Sequence, residues 1–168
     1  TSQGVEMDGR WLVTEHLTIG ASLAYLDSEF DDFKNASCQA LDTTPGQPCT
    51  QDLSGEDTQF APEWSGNLSV QYRRPLTDGL EFIGQADANS TDDYFYAQDL
   101  DPEEQTDSYT EYNARLAIVH LDGNWEVALI GKNLSDETTN IHGNDIPSFT
   151  GAHYVFTAPP RTVAIQGT

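Results

Sequence analysis

The chain has 168 residues, about one domain's worth, with 28 Asp and Glu against 7 Lys and Arg for a formal net charge of -21. That balance excludes nucleic acid as a partner, because phosphate binding needs a cationic face, and it excludes docking on an anionic cytoplasmic leaflet. No apolar run is longer than four residues, so neither a transmembrane helix nor a signal-peptide core is expected.

Period-two alternation predicts seven strands. The first, near 3–13, sets Val5, Met7, Gly9, Trp11 and Val13 against Glu6, Asp8, Arg10 and Leu12. After Thr14-Glu15-His16, a strand near 17–27 sets Leu17, Ile19, Ala21, Leu23 and Tyr25 against Thr18, Gly20, Ser22 and Ala24. A long polar stretch follows, about 27–62. The third strand, near 65–74, sets Leu68, Val70 and Tyr72 against Asn67, Ser69, Gln71 and Arg73, and Pro75-Leu76-Thr77-Asp78-Gly79 reads as a tight turn. The fourth, near 80–90, sets Leu80, Phe82, Gly84, Ala86 and Ala88 against Glu81, Ile83, Gln85 and Asp87. A second polar stretch, about 90–108, precedes a strand near 109–120 with Tyr112, Ala114, Leu116 and Ile118 on one side. Leu121-Asp122-Gly123-Asn124 is a hairpin signal, and the strand near 125–134 sets Trp125, Val127, Leu129 and Gly131 against Glu126, Ala128, Ile130 and Lys132. A third long loop, about 135–160, ends in Pro159-Pro160 before a last strand near 161–168.

The connections alternate short and long. An outer-membrane barrel has that asymmetry, and its strands need only about ten alternating residues to cross a bilayer. The two predicted faces differ in kind. One is Leu, Val, Ile, Ala, Gly and aromatic. The other carries Arg10, Arg73, Glu81, Arg115, Glu126 and Lys132, which a wet barrel lumen accommodates. Leu129 is then expected against lipid and Ala128 on the wet side. An ordinary sandwich with one solvated face is the competing reading.

Trp11, Tyr72 and Trp125 fall near the short turns, and Tyr25 and Phe30 near a long loop. Two aromatic bands of this kind suit the two membrane interfaces; ordinary cross-strand packing is the alternative. Cys38 and Cys49 share a segment with Pro45, Gly46 and Pro48 and have no His nearby, so a loop-closing disulfide is expected rather than a metal or redox site.

Asp99, Asp101, Glu103, Glu104 and Asp107 form an oxygen-rich group suited to calcium, without EF-hand spacing. A solvated, self-repelling loop is the competing reading, and Asp27, Glu29, Asp31 and Asp32 pose the same choice. His16, His120, His142 and His153 are scattered and read as girdle or loop residues. No nucleophile elbow, P-loop or complete dinucleotide fingerprint is present, so no enzyme and no organic cofactor is expected.

Four motifs in order carry a resemblance to TonB-dependent outer-membrane receptors. Gly4-Val5-Glu6-Met7-Asp8-Gly9-Arg10-Trp11 followed by Leu17 to Tyr25 is similar to a late barrel hairpin of that family. Phe60-Ala61-Pro62-Glu63-Trp64 is similar to a strand entry, Gly131-Lys132-Asn133-Leu134-Ser135-Asp136-Glu137 to a near-terminal strand, and Pro160-Arg161-Thr162 to the opening of the final strand. The resemblance implies an all-β, antiparallel up-and-down segment, 1–168, forming about the last seven strands of a 22-stranded barrel, with no plug domain. It implies a bacterial outer-membrane location and active uptake of iron chelates, cobalamin, glycans or similar bulky nutrients. The partners implied are outer-membrane lipid, the plug and remaining strands of a parent receptor, and TonB through an N-terminal part. An isolated piece of this kind has two unpaired edges and is expected to self-associate, as a multi-chain barrel or an extracellular fibre. An adhesin-like extracellular β-sandwich is the third reading.

Overall fold

Thirteen strands and two short 3-10 turns make up the computed structural model, which describes residues 1–168 except 43, 45, 46, 124, 147 and 148. Seven long strands form one antiparallel sheet: β1 (Ser2–Leu12), β2 (Leu17–Ser28), β5 (Trp64–Thr77), β6 (Leu80–Thr91), β9 (Tyr109–His120), β10 (Glu126–Lys132) and β13 (Thr162–Gly167). They neighbour one another in chain order, so the sheet is an up-and-down meander without crossovers. All seven predicted strands are present.

Six shorter strands lie in the long connections. They pair as hairpins: β3 (Ala36–Ser37) with β4 (Thr50–Gln51), β7 (Tyr94–Phe95) with β8 (Gln105–Thr106), and β11 (Asn140–Asp145) with β12 (His153–Thr157). The stretches about 27–62, 90–108 and 135–160 are therefore folded loops rather than plain coil. Pro45, Gly46 and Asn124 lie outside the described residues.

Two boundaries depart from expectation. β5 runs through Pro75 to Thr77, with a register shift between Pro75 and Thr77, and leaves Asp78-Gly79 as the turn. A bulge at the end of a strand removes the ladder bond that proline cannot donate. β10 stops at Lys132, because Asn133 takes a left-handed φ of 49°.

The register makes two continuous faces. Trp11, Ile19, Val70, Ala86, Ala114, Gly131 and Val163 stand in one row across all seven strands. Leu17, Tyr72, Gly84, Leu116, Leu129 and Ile165 form the next. This face is apolar and uncovered: Leu68 is 53% exposed and Ile165 80%. A water-soluble sandwich would bury such rows under a second sheet, and among the described residues none lies over them. The adhesin-like sandwich is set aside on that ground.

The packed interior lies in the loops instead. Ala36, Leu53 and Leu100 form a buried cluster, with Phe30, Phe33 and Phe95 against it. Phe30 is thus a loop-core residue and not part of an aromatic band. Cys38 and Cys49 are bonded, with their Cα atoms 5.7 Å apart, and close the connection that carries β3 and β4. No helix is long and apolar enough to cross a membrane among the described residues, which says nothing against strands doing so.

Candidate functional site

The second face of the sheet is a polar trough. A cleft of about 580 Å³ runs across β1, β2, β5, β6, β9 and β10, lined by Arg10, Ser69, Gln71, Gln85, Asp87, Asn113, Arg115 and Lys132 among others. Pleating places these side chains together, because residues of one parity on every strand share a face. Asp87 accepts hydrogen bonds from Asn89 (2.7 Å) and Asn113 (3.0 Å), and Asn67 donates to Asn89 (2.8 Å). Nearer the short turns the trough holds two cross-strand ion pairs, Arg73 with Glu81 at 2.7 Å and Arg115 with Glu126. All six residues expected on the polar face are on it by register. The face is not wet everywhere: Ala128 and the opposite Ala117 are 1% and 2% exposed. Ala128, expected on the wet side, is on that face by register but shut off from solvent, so any added atoms there meet packed neighbours.

Two of the sequence motifs meet in space. The buried Asn133 donates from Nδ2 to the carbonyls of Glu137 (2.9 Å) and Pro159 (3.2 Å), and its Oδ1 accepts from the Glu137 amide (2.9 Å). Arg161 donates to Asp136 through its backbone (3.2 Å) and its guanidinium (3.1 Å). Together they clamp the two ends of the third long loop and aim β13 back onto β10. The Phe60–Trp64 motif acts similarly at the first loop. Phe60 donates to the Phe95 carbonyl at 2.8 Å, and Glu63 accepts from the Leu26 amide at 2.9 Å.

At the long-loop end lies a buried carboxylate cluster. Carboxylate oxygens of Asp99, Glu104 and Asp145 lie within 4.8 Å of one another, and so do the ligand atoms of Asp101, Asp145 and His153. Asp145 and His153 face each other across the β11–β12 hairpin, with His153 Nδ1 3.1 Å from Asp145 Oδ1 and 3.4 Å from Glu104 Oε1. Glu104 is 0% exposed, Asp101 2% and Asp99 7%. Burial, then the charges of Asp99 and Asp145, push the Glu104 carboxyl up to about 7 against the opposing pull of His153. Burial likewise raises Asp99, helped by Asp145.

Of the five acids expected to group from sequence, Asp99, Asp101 and Glu104 converge, while Glu103 and Asp107 are exposed and outside the cluster. Asp145 and His153 come from a hairpin some forty residues further on that sequence reasoning read as loop. The alternation of Tyr154 and Phe156 about Val155 was the available signal. Asp27, Glu29, Asp31 and Asp32 remain exposed and outside the cluster.

A family model described as TonB dependent receptor-like, beta-barrel, matches residues 1–134. The chain belongs to that family. Two solved structures share the fold. One is the siderophore receptor PiuA from Acinetobacter baumannii, with a TM-score of 0.70 and 21% identity over 99% of this chain. The other is the ferric yersiniabactin uptake receptor FyuA from Yersinia pestis, with a TM-score of 0.72 and 15% identity over 99% of this chain. The chain spans 21% and 23% of their lengths, and its open seven-stranded sheet is what a segment of a TonB-dependent receptor barrel presents.

The aromatic residues of this receptor segment stand at both ends of the apolar face. Trp11 and Trp125 are 65% and 41% exposed near the short turns, where Tyr72 lies 6.3 Å from the His16 ring. At the other end Tyr25 packs on Trp64 with ring centroids 4.8 Å apart, and Tyr112 is 51% exposed. Trp64 and Tyr112 extend the set beyond the residues chosen from sequence.

Proposed function

We propose that the chain is a stretch of barrel wall, about the last seven strands, of a bacterial outer-membrane receptor for TonB-dependent uptake of a bulky nutrient. The observation that carries this is the family match over 1–134 laid on a sheet with one apolar face and one polar trough. On this reading outer-membrane lipid covers the rows of Leu68, Val70, Tyr72, Leu116, Ile118, Val127 and Leu129. The trough, with Arg10, Arg73, Glu81, Arg115, Glu126 and Lys132, faces the lumen, where the plug of the parent receptor packs. The Tyr25–Trp64 pair at one end of the apolar face, and Trp11 and Trp125 at the other, mark the two interfaces. TonB engages the receptor through its N-terminal part.

Among iron chelates, cobalamin and glycans, iron chelates come first, because the two structural neighbours are a siderophore receptor and a ferric yersiniabactin uptake receptor. The test is accumulation of labelled ferric chelates, cobalamin and oligosaccharides by cells carrying the whole receptor, with and without working TonB. Accumulation of one class that stops when TonB is removed supports the reading. Equal accumulation in both strains refutes it.

A second reading applies to the chain by itself. β1 and β13 each pair on one side only, which favours edge-to-edge association into a multi-chain β structure or fibre.

A further inference from the structure

We propose that Asp99, Asp101, Glu104 and Asp145 form a site for a hard divalent cation, Ca²⁺ by its donor chemistry, that ties the β7–β8 hairpin to the β11–β12 hairpin. The decisive feature is the state of the buried oxygens. Asp101 Oδ2, Asp145 Oδ1 and both carboxylate oxygens of Glu104 make no hydrogen bond, although Glu104 is wholly buried and Asp101 nearly so. Buried carboxylates in proteins are paired, hydrogen-bonded or bound to a metal. Here the ion pairs among the described residues come from His153 alone, and that one imidazole reaches Glu104 and Asp145.

The donor set fits calcium. Asp99, Glu104 and Asp145, mono- or bidentate, offer up to six oxygens, and Asp101 lies within the same reach of Asp145, against the six to eight that Ca²⁺ takes at about 2.3–2.6 Å. A zinc site would call for several imidazole or thiolate donors, and His153 is the lone nitrogen in the cluster.

The surrounding frame is assembled by bonds that leave the centre of the cluster free. Asp101 Oδ1 accepts from the Glu103 amide at 3.0 Å, capping a 3-10 turn (Pro102–Glu104) and leaving Oδ2 for the centre. The backbone of Glu104 accepts from the Tyr96 amide at 3.0 Å, and the Asp99 carbonyl accepts from Gln51 at 2.7 Å. Thr106 donates to the Asn140 carbonyl at 2.5 Å, joining the two hairpins. Gly143 lets them close up: a Cβ there would stand 2.6 Å from the Tyr96 ring. A cation therefore meets oxygens already gathered, and its charge offsets a repulsion that the protein leaves standing.

The test uses the whole receptor, stripped with chelator and held in detergent, titrated with Ca²⁺ in a calorimeter. One site per chain is expected, with Kd about 10⁻⁴–10⁻³ M, the range of extracellular calcium modules. Glu104→Gln and Asp145→Asn should each weaken it at least tenfold, whereas the exposed Glu103→Gln and Asp107→Asn should leave it within twofold. Hydrogen exchange gives a second readout: Ca²⁺ should slow exchange in 94–106 and 140–157 together, and Mg²⁺ at equal ionic strength should not. Should one variant fail to fold, the other still tests the site, and exchange in the unmutated receptor tests it without any variant. Absence of saturable Ca²⁺ binding up to about 10 mM, above the weakest of those modules, would overturn the proposal. So would equal losses in the Glu103 and Asp107 variants, or a Zn²⁺ site that needs His153 and is not competed by Ca²⁺. None of these readouts involves uptake, so this inference and the transport reading fail separately.

Discussion

Leu68→Arg and Ser69→Arg place the same side chain at neighbouring positions of β5, on opposite faces of the sheet. Leu68 is 53% exposed and stands opposite Ala21 and Ala88 in the apolar rows. It is midway between Trp64 and Tyr72 on its strand. Four residues at about 3.3 Å of rise, on a strand tilted by about 40°, put it roughly 10 Å in depth from each aromatic band, close to the middle of a hydrocarbon layer about 25 Å tall. Arg at such a depth costs about 2–4 kcal/mol. Ser69 lines the trough and stands opposite Asp87, so Arg there meets polar space and a carboxylate. Ser69 is half-buried but opens onto the trough, and the cost should stay within about 1 kcal/mol, as for ion pairs that keep contact with water. The assay is folding of the whole receptor into phosphatidylcholine vesicles across a denaturant series, read by tryptophan fluorescence and by the heat-dependent migration of the folded barrel on a gel. Equal losses for the two variants, or a larger loss for Ser69→Arg, would show that the alternation does not mark a lipid boundary.

Asn133→Ala removes the side-chain bonds to Glu137 and Pro159 at a left-handed residue, and should cost about 2–4 kcal/mol in the same denaturant series; a loss below about 0.5 kcal/mol would show that the clamp is not structural. Reduction of Cys38–Cys49 should remove roughly 3 kcal/mol of loop constraint in the chain-entropy model, with faster proteolysis of that loop, and two free thiols in a non-reducing mass measurement would contradict the bond. The isolated 168-residue chain should sediment as assemblies that grow with salt, as the Debye length falls from about 30 Å at 0.01 M to about 10 Å at 0.1 M and the repulsion of its -21 charge is screened. A compact monomer with native β signal at every salt concentration would refute the role given to the open edges.

The seven long strands, their parity and the bonded cysteines were legible in the sequence, because each depends on near neighbours. Alternation of Leu68, Val70 and Tyr72 with Asn67, Ser69 and Gln71 is a property of one strand, and a sheet propagates it through register. Cys38 and Cys49, eleven residues apart, need only one loop to close. What the tertiary structure alone decided depends on segments distant in the chain. Asn133 and Asp136 reach Pro159 and Arg161 only once the third loop folds back. Ala128 is buried by neighbours on the trough face that its own strand does not reveal. Asp99, Asp101 and Glu104 read as one more solvated acidic run until the β11–β12 hairpin lays Asp145 and His153 over them. Periodicity reports which face a residue takes. It carries no information on which loop comes to cover that face, and the desolvation that leaves both Glu104 carboxylate oxygens without a hydrogen bond arises only from that covering.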